Sequence, residues 1–100
     1  VLDLCVLHIL ADGPTYGYSI AARLTDAGFA DVKGGTLYPL LKRLEGAGLV
    51  DIEWRPGEAG PGRKFYLINT AGRQRLMALT ASWQRYSTTV TRLLDEGSPS

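Results

Sequence analysis

One cysteine, one histidine and one methionine occur in the 100 residues, and each scarcity excludes something. A lone Cys5 closes no internal disulfide, which fits a reducing compartment rather than a bridge-stapled secreted fold. A lone His8 leaves no credible Ser-His-Asp relay. Cys5 and His8 stand three residues apart and would share a helix face, but two ligands make at best a fragment of a metal site, and a buried free cysteine behaves as a small hydrophobe. No glycine-rich phosphate loop is present; the glycines fall at turns and helix ends. The chain is therefore expected to be no enzyme, and to use no metal and no cofactor. No apolar run is long enough to span a bilayer, and no segment has the build of a signal peptide, so a cytoplasmic location is expected. Because the chain begins at Val1 rather than Met, its natural start is expected to lie upstream.

Acidic charge is missing from one half. Residues 1–53 carry four basic and seven acidic side chains, a net of −3, whereas residues 54–94 carry seven basic side chains against Glu58 alone, a net of +6. The overall +1 thus conceals a positive field on the second half, where phosphates would be held. A hydrophobic fraction of 45% excludes a disordered chain, and 100 residues suffice for one domain with a modest core that association would help.

The densest pattern runs from Gly35 to Val50. Leu37, Leu40, Leu41 and Leu44 repeat at helical spacing and make a core-facing stripe, while Tyr38, Lys42 and Arg43 lie off it. Gly46 and Gly48 end this helix. Before it, residues 1–11 read as a buried helix broken by Asp12-Gly13-Pro14, and Thr15 is positioned to cap a second helix over Tyr16–Leu24, stopped by Gly28. After it, Leu49–Arg55 alternates, with Val50, Ile52 and Trp54 on the inner side. Residues 56–62 form a turn rich in Gly and Pro, Arg63–Asn69 returns, and Thr70 is positioned to cap a last helix. The expected architecture is α+β, mainly α. It is a winged helix-turn-helix over 1–69 followed by a C-terminal dimerisation helix over 70–97, together one compact unit.

That last helix carries Leu76, Leu79, Trp83, Tyr86, Val90 and Leu93 at alternating steps of three and four, a heptad seam. So narrow a seam pairs most simply with its own copy about a two-fold axis, the alternative being that the helix folds back on its own domain.

The motifs resemble those of a known family. Tyr16-Gly17-Tyr18-Ser19-Ile20, the run Gly35-Thr36-Leu37-Tyr38-Pro39-Leu40-Leu41-Lys42-Arg43-Leu44-Glu45, and Gly62-Arg63-Lys64-Phe65-Tyr66 with Thr70-Ala71-Gly72-Arg73 are similar, in order and spacing, to signatures of the PadR (phenolic-acid-decarboxylase regulator) family of winged-helix repressors. The length and single C-terminal helix resemble its short subfamily. The resemblance implies a homodimer on a double-stranded DNA operator, in some members responsive to planar aromatic compounds. It departs at Lys33-Gly34-Gly35, where many members have Ser-Pro-Gly; this loses a cap and a helix-starting proline but adds a positive charge near the DNA backbone. It departs also at Leu67-Ile68-Asn69, where an Arg or Lys is frequent.

Candidate DNA-binding residues are accordingly Tyr16, Lys33, Thr36, Tyr38, Lys42, Arg43, Arg63 and Lys64. Lysine and arginine donate to guanine edges or phosphates, and tyrosine bonds a phosphate or packs on a thymine methyl. Arg43 has the alternative of pairing with a neighbouring acid; Tyr16, placed at the DNA backbone by the resemblance, has that of sitting at the core rim. Glu45 reads as structural. The resemblance also makes Trp83 a candidate to stack on a ligand between subunits, walled by Leu2, Val6 and Ile9; its alternative is to fill the seam. The function expected is sequence-specific, ligand-responsive repression. The alternatives are a winged helix that serves only as a protein-interaction or dimerising module, or a binder of aromatic small molecules with no DNA function.

Overall fold

The computed structural model describes residues 1–30, 32, 34–57 and 60–96. Its elements are α1 (Leu2–Ala11), β1 (Thr15–Tyr16), α2 (Gly17–Asp26), α3 (Gly34–Gly46), β2 (Val50–Arg55), β3 (Arg63–Ile68) and α4 (Thr70–Glu96). The strands form an antiparallel sheet in the order β1-β3-β2, with Thr15 opposite Tyr66, Val50 opposite Ile68 and Arg55 opposite Arg63. Three helices, a small sheet and a long fourth helix make the winged helix-turn-helix that the alternation of patterns predicts.

The core is aliphatic. Val6, Leu7, Ile9 and Leu10 of α1, Ile20 and Leu24 of α2, the four leucines of α3, and Val32, Leu49, Val50 and Tyr66 are buried together, and among the described residues no charged side chain is buried. Each fully buried leucine contributes roughly 1.5–3 kcal/mol. The α3 stripe therefore holds its helix in place even though Pro39, inside it, removes one backbone hydrogen bond. Gly48 then turns the chain at φ +72°, where a side chain would be strained, and leads it into β2.

Three local expectations are corrected. Thr15 caps nothing: it pairs with Tyr66 in β1, and α2 starts after Tyr16 with no side-chain cap. The cap of α4 is Asn69 rather than Thr70, for the Asn69 Oδ1 accepts from the Gly72 N–H at 2.9 Å while its Nδ2 donates to the Gly48 carbonyl and the Asp51 carboxylate. Trp54 is 67% exposed although it alternates with Val50 and Ile52, because β2 runs on into the wing beyond the end of the core.

Candidate nucleic-acid interface

The leucine stripe of α3 decides what its other face offers. With Leu37, Leu40, Leu41 and Leu44 turned inward, Thr36, Tyr38, Lys42 and Arg43 are exposed. Tyr38 is placed by two glycines. A Cβ on Gly17 would lie 2.8 Å from the Tyr38 hydroxyl, and one on Gly34 would lie 3.2 Å from its ring, so the phenol covers the start of α2 and the start of α3 at once. The backbone N–H groups of an uncapped helix start lie beside it, a setting that favours an anion.

The wing closes the other side. Tyr16, Gly17, Tyr18, Tyr38, Arg63, Lys64 and Tyr66 line a groove of about 670 Å³, and Tyr38, Lys42, Glu45, Gly46, Lys64 and Tyr66 line a second of about 520 Å³ next to it. Along the wing, two arginines bracket a pair of rings. The Arg55 guanidinium lies 4.2 Å from the Phe65 ring centre, Phe65 and Tyr16 are 5.3 Å apart, and the Arg63 guanidinium lies 4.6 Å from the Tyr16 ring. Stacking restrains the arginine planes, at a cation–π gain of about 0.5–1 kcal/mol for exposed pairs, and Arg55 is held further because its Nε donates to Glu53 Oε1 at 2.9 Å.

Lys64 is differently held. Its Nζ donates to Glu45 Oε1 at 3.0 Å and lies 5.4 Å from the Tyr66 ring. The Glu45 hydrogen bond raises the Lys64 ammonium above its ordinary pKa despite some desolvation, and burial raises the Tyr66 phenol above its own. Both groups stay fully protonated at neutral pH.

Five of the eight candidates named from the sequence thus share the grooves: Tyr16, Tyr38, Lys42, Arg63 and Lys64. Thr36 and Arg43 are exposed on α3 but line neither groove, Arg43 forming no ion pair among the described residues, and Lys33 lies outside them. Sequence reasoning missed Tyr18, Arg55 and Tyr66. Tyr66 was readable, since in a strand it shares a face with Lys64 two residues before it. The partnership of Lys64 with Glu45 spans 19 residues and leaves no local signal.

The proposed effector residues separate. Val6 is fully buried in its own core and Leu2 half-buried. Ile9 edges a pocket of about 340 Å³ between α1, α2 and α4, together with Cys5, His8, Arg23 and Phe29. Trp83 is 43% exposed on α4, its ring 6.1 Å from that of Tyr86. Among the described residues no group of three or more His, Cys, Asp or Glu converges as a metal site.

Residues 6–78 match the model of the transcriptional regulator PadR-like family. The chain belongs to that family. It is 40% identical over 73 residues to transcriptional regulator Rv3488 of Mycobacterium tuberculosis, covering 73% of this chain and 66% of that one. Among solved structures, a PadR-like transcriptional regulator from Bacillus cereus superposes with a TM-score of 0.85 at 37% identity, covering 94% of this chain and 91% of the other. A PadR-like transcription factor from Bacteroides fragilis superposes with a TM-score of 0.79, also at 37% identity, over 92% and 88%. PadR-like proteins are transcriptional regulators rather than enzymes, and the chain is accordingly a DNA-binding regulator of the PadR type. No helix among the described residues is long and apolar enough to cross a membrane.

Proposed function

We propose that this PadR-like regulator is a repressor that acts as a homodimer, reads DNA with the exposed face of α3, and grips the backbone with Tyr16, Arg63 and the wing. The observation that carries the reading is the convergence of Tyr16, Tyr38, Lys42, Arg63 and Lys64 on adjoining grooves between α3 and β3. Direct readout needs a helix face free of its own core, and phosphate contact needs donors beside it; the leucine stripe and the wing supply these separately. Two such units on a two-fold axis would place their α3 helices in major grooves roughly 34 Å apart. A planar aromatic effector held near Trp83 would act by preferring one arrangement of the two units, and only to the extent of its difference in affinity between them.

The experiment is binding to DNA upstream of the chain's own gene at two salt concentrations, with a Lys42→Ala/Arg43→Ala variant alongside. Sequence-selective binding that weakens steeply with salt and falls at least tenfold in the variant is expected. Binding indifferent to sequence and to the variant would point instead to a protein-interaction module. Planar dyes added to wild type and to Trp83→Ala in the same assay test the effector: release of DNA in the first and not in the second is expected.

A further inference from the structure

The surface between α3 and the wing is basic and aromatic with one exception. Among the described residues lining its two grooves, Glu45 is the sole carboxylate, and it is bound to Lys64. Both partners are substantially exposed, at 34% for the Lys64 side chain and 41% for that of Glu45. Neither charge needs the other to compensate burial, and exposed pairs of this kind add little to stability. What the pair does change is the charge presented to a polyanion: it withdraws one ammonium at the junction of α3 and β3.

We propose that Glu45 is a specificity-determining residue that limits binding to arbitrary DNA by holding Lys64 away from the phosphate backbone. The proposal rests on the α3–wing surface being the DNA interface. On a duplex of random sequence, moving Lys64 from Glu45 to a phosphate releases one counterion but leaves a bare carboxylate beside the backbone, so the exchange gains little. On an operator, base contacts made by α3 seat the protein deeply enough to sustain the exchange. Glu45 therefore lowers non-specific affinity more than specific affinity, and discrimination is the ratio of the two.

The test uses the full chain with a random-sequence duplex and with an operator duplex selected in vitro, dissociation constants being measured across a salt series for wild type, Glu45→Gln, Lys64→Gln and the double variant. The changes below are those expected on the random duplex, with a smaller change on the operator. Glu45→Gln keeps the side-chain shape at an exposed position and removes only the charge. It is expected to bind about eightfold more tightly at 0.1 M monovalent salt, with a salt slope steeper by about 0.9, the increment of one further ionic contact. Lys64→Gln alone leaves the Glu45 carboxylate bare beside the backbone and is expected to bind more weakly with a shallower slope, and the double variant, with both charges gone, to return to wild type. A slope in Glu45→Gln that is unchanged or shallower overturns the proposal, as does a gain that survives in the double variant. A loss confined to one base pair of a selected operator also overturns it, because Glu45 would then be reading a base. Retention of the full wild-type slope by Lys42→Ala/Arg43→Ala would remove the interface itself, a failure separable from that of Glu45.

Discussion

Gly17 and Gly72 look alike in the sequence and are constrained by opposite things. At Gly17 a Cβ meets the far end of the Tyr38 side chain, 2.8 Å from its hydroxyl, and that side chain is 53% exposed and able to swing aside. At Gly72 the Cβ would collide with the Leu49 carbonyl oxygen and the Ile68 side chain, where α4 crosses the start of β2, and backbone does not yield. Gly17→Ala is therefore expected to change stability by less than about 1 kcal/mol but to weaken DNA binding severalfold, because it displaces a phenol from the groove. Gly72→Ala is expected to cost about 1–3 kcal/mol. Urea denaturation of both variants, with a DNA titration of Gly17→Ala, checks the pair; equal loss of stability in both would mean that Tyr38 is locked rather than free to move.

Asn69 shows how one side chain ties elements that sequence patterns treat separately. Its amide holds the turn after α3 through Gly48, β2 through Asp51, and the first turn of α4 through Gly72. Asn69→Ala is expected to cost about 1–2 kcal/mol, the upper range for loss of an N-cap, and to lower the thermal midpoint with no change in far-ultraviolet helix signal at low temperature. A loss under about 0.5 kcal/mol would mean that Thr70 takes over the cap. The same residue marks where sequence reasoning stops. The α3 stripe was legible because helical periodicity is local and its leucines have a single destination. The choice between Asn69 and Thr70 as cap, the pairing of Thr15 with Tyr66, and the hold of Glu45 on Lys64 all depend on residues brought together by folding. Trp54 misleads for a related reason: alternation reports which face a residue is on, not how far along a strand the core extends.

The whole molecule measures 61 × 28 × 21 Å, long in one direction because α4 is a 27-residue helix of which only Gly72 is buried. Its seam divides. Leu76 and Leu79 pack against the core, whereas Tyr86 and Leu93 are 64% and 66% exposed further along the same face, with Trp83 between the two regimes. The early part of the seam thus answers to folding back, and the later part is left bare at Tyr86 and Leu93, with Val90 between them half-buried. A monomer gains nothing from carrying these residues in water, while a second α4 would cover them with identical partners about a two-fold axis. Tyr86→Arg/Leu93→Arg should therefore leave the winged helix folded, since neither residue touches the core, and should convert a dimer to a monomer in sedimentation equilibrium. Operator affinity should fall by about 10²–10⁴, because the second half-site loses the effective concentration that linkage supplies. Leu76→Ala is the control with the opposite signature: it should lower the unfolding midpoint and leave the association of the folded protein largely intact. A double-arginine variant that still sediments as a dimer would place the contact elsewhere, and the half-site spacing would then have to be set by a surface other than this seam.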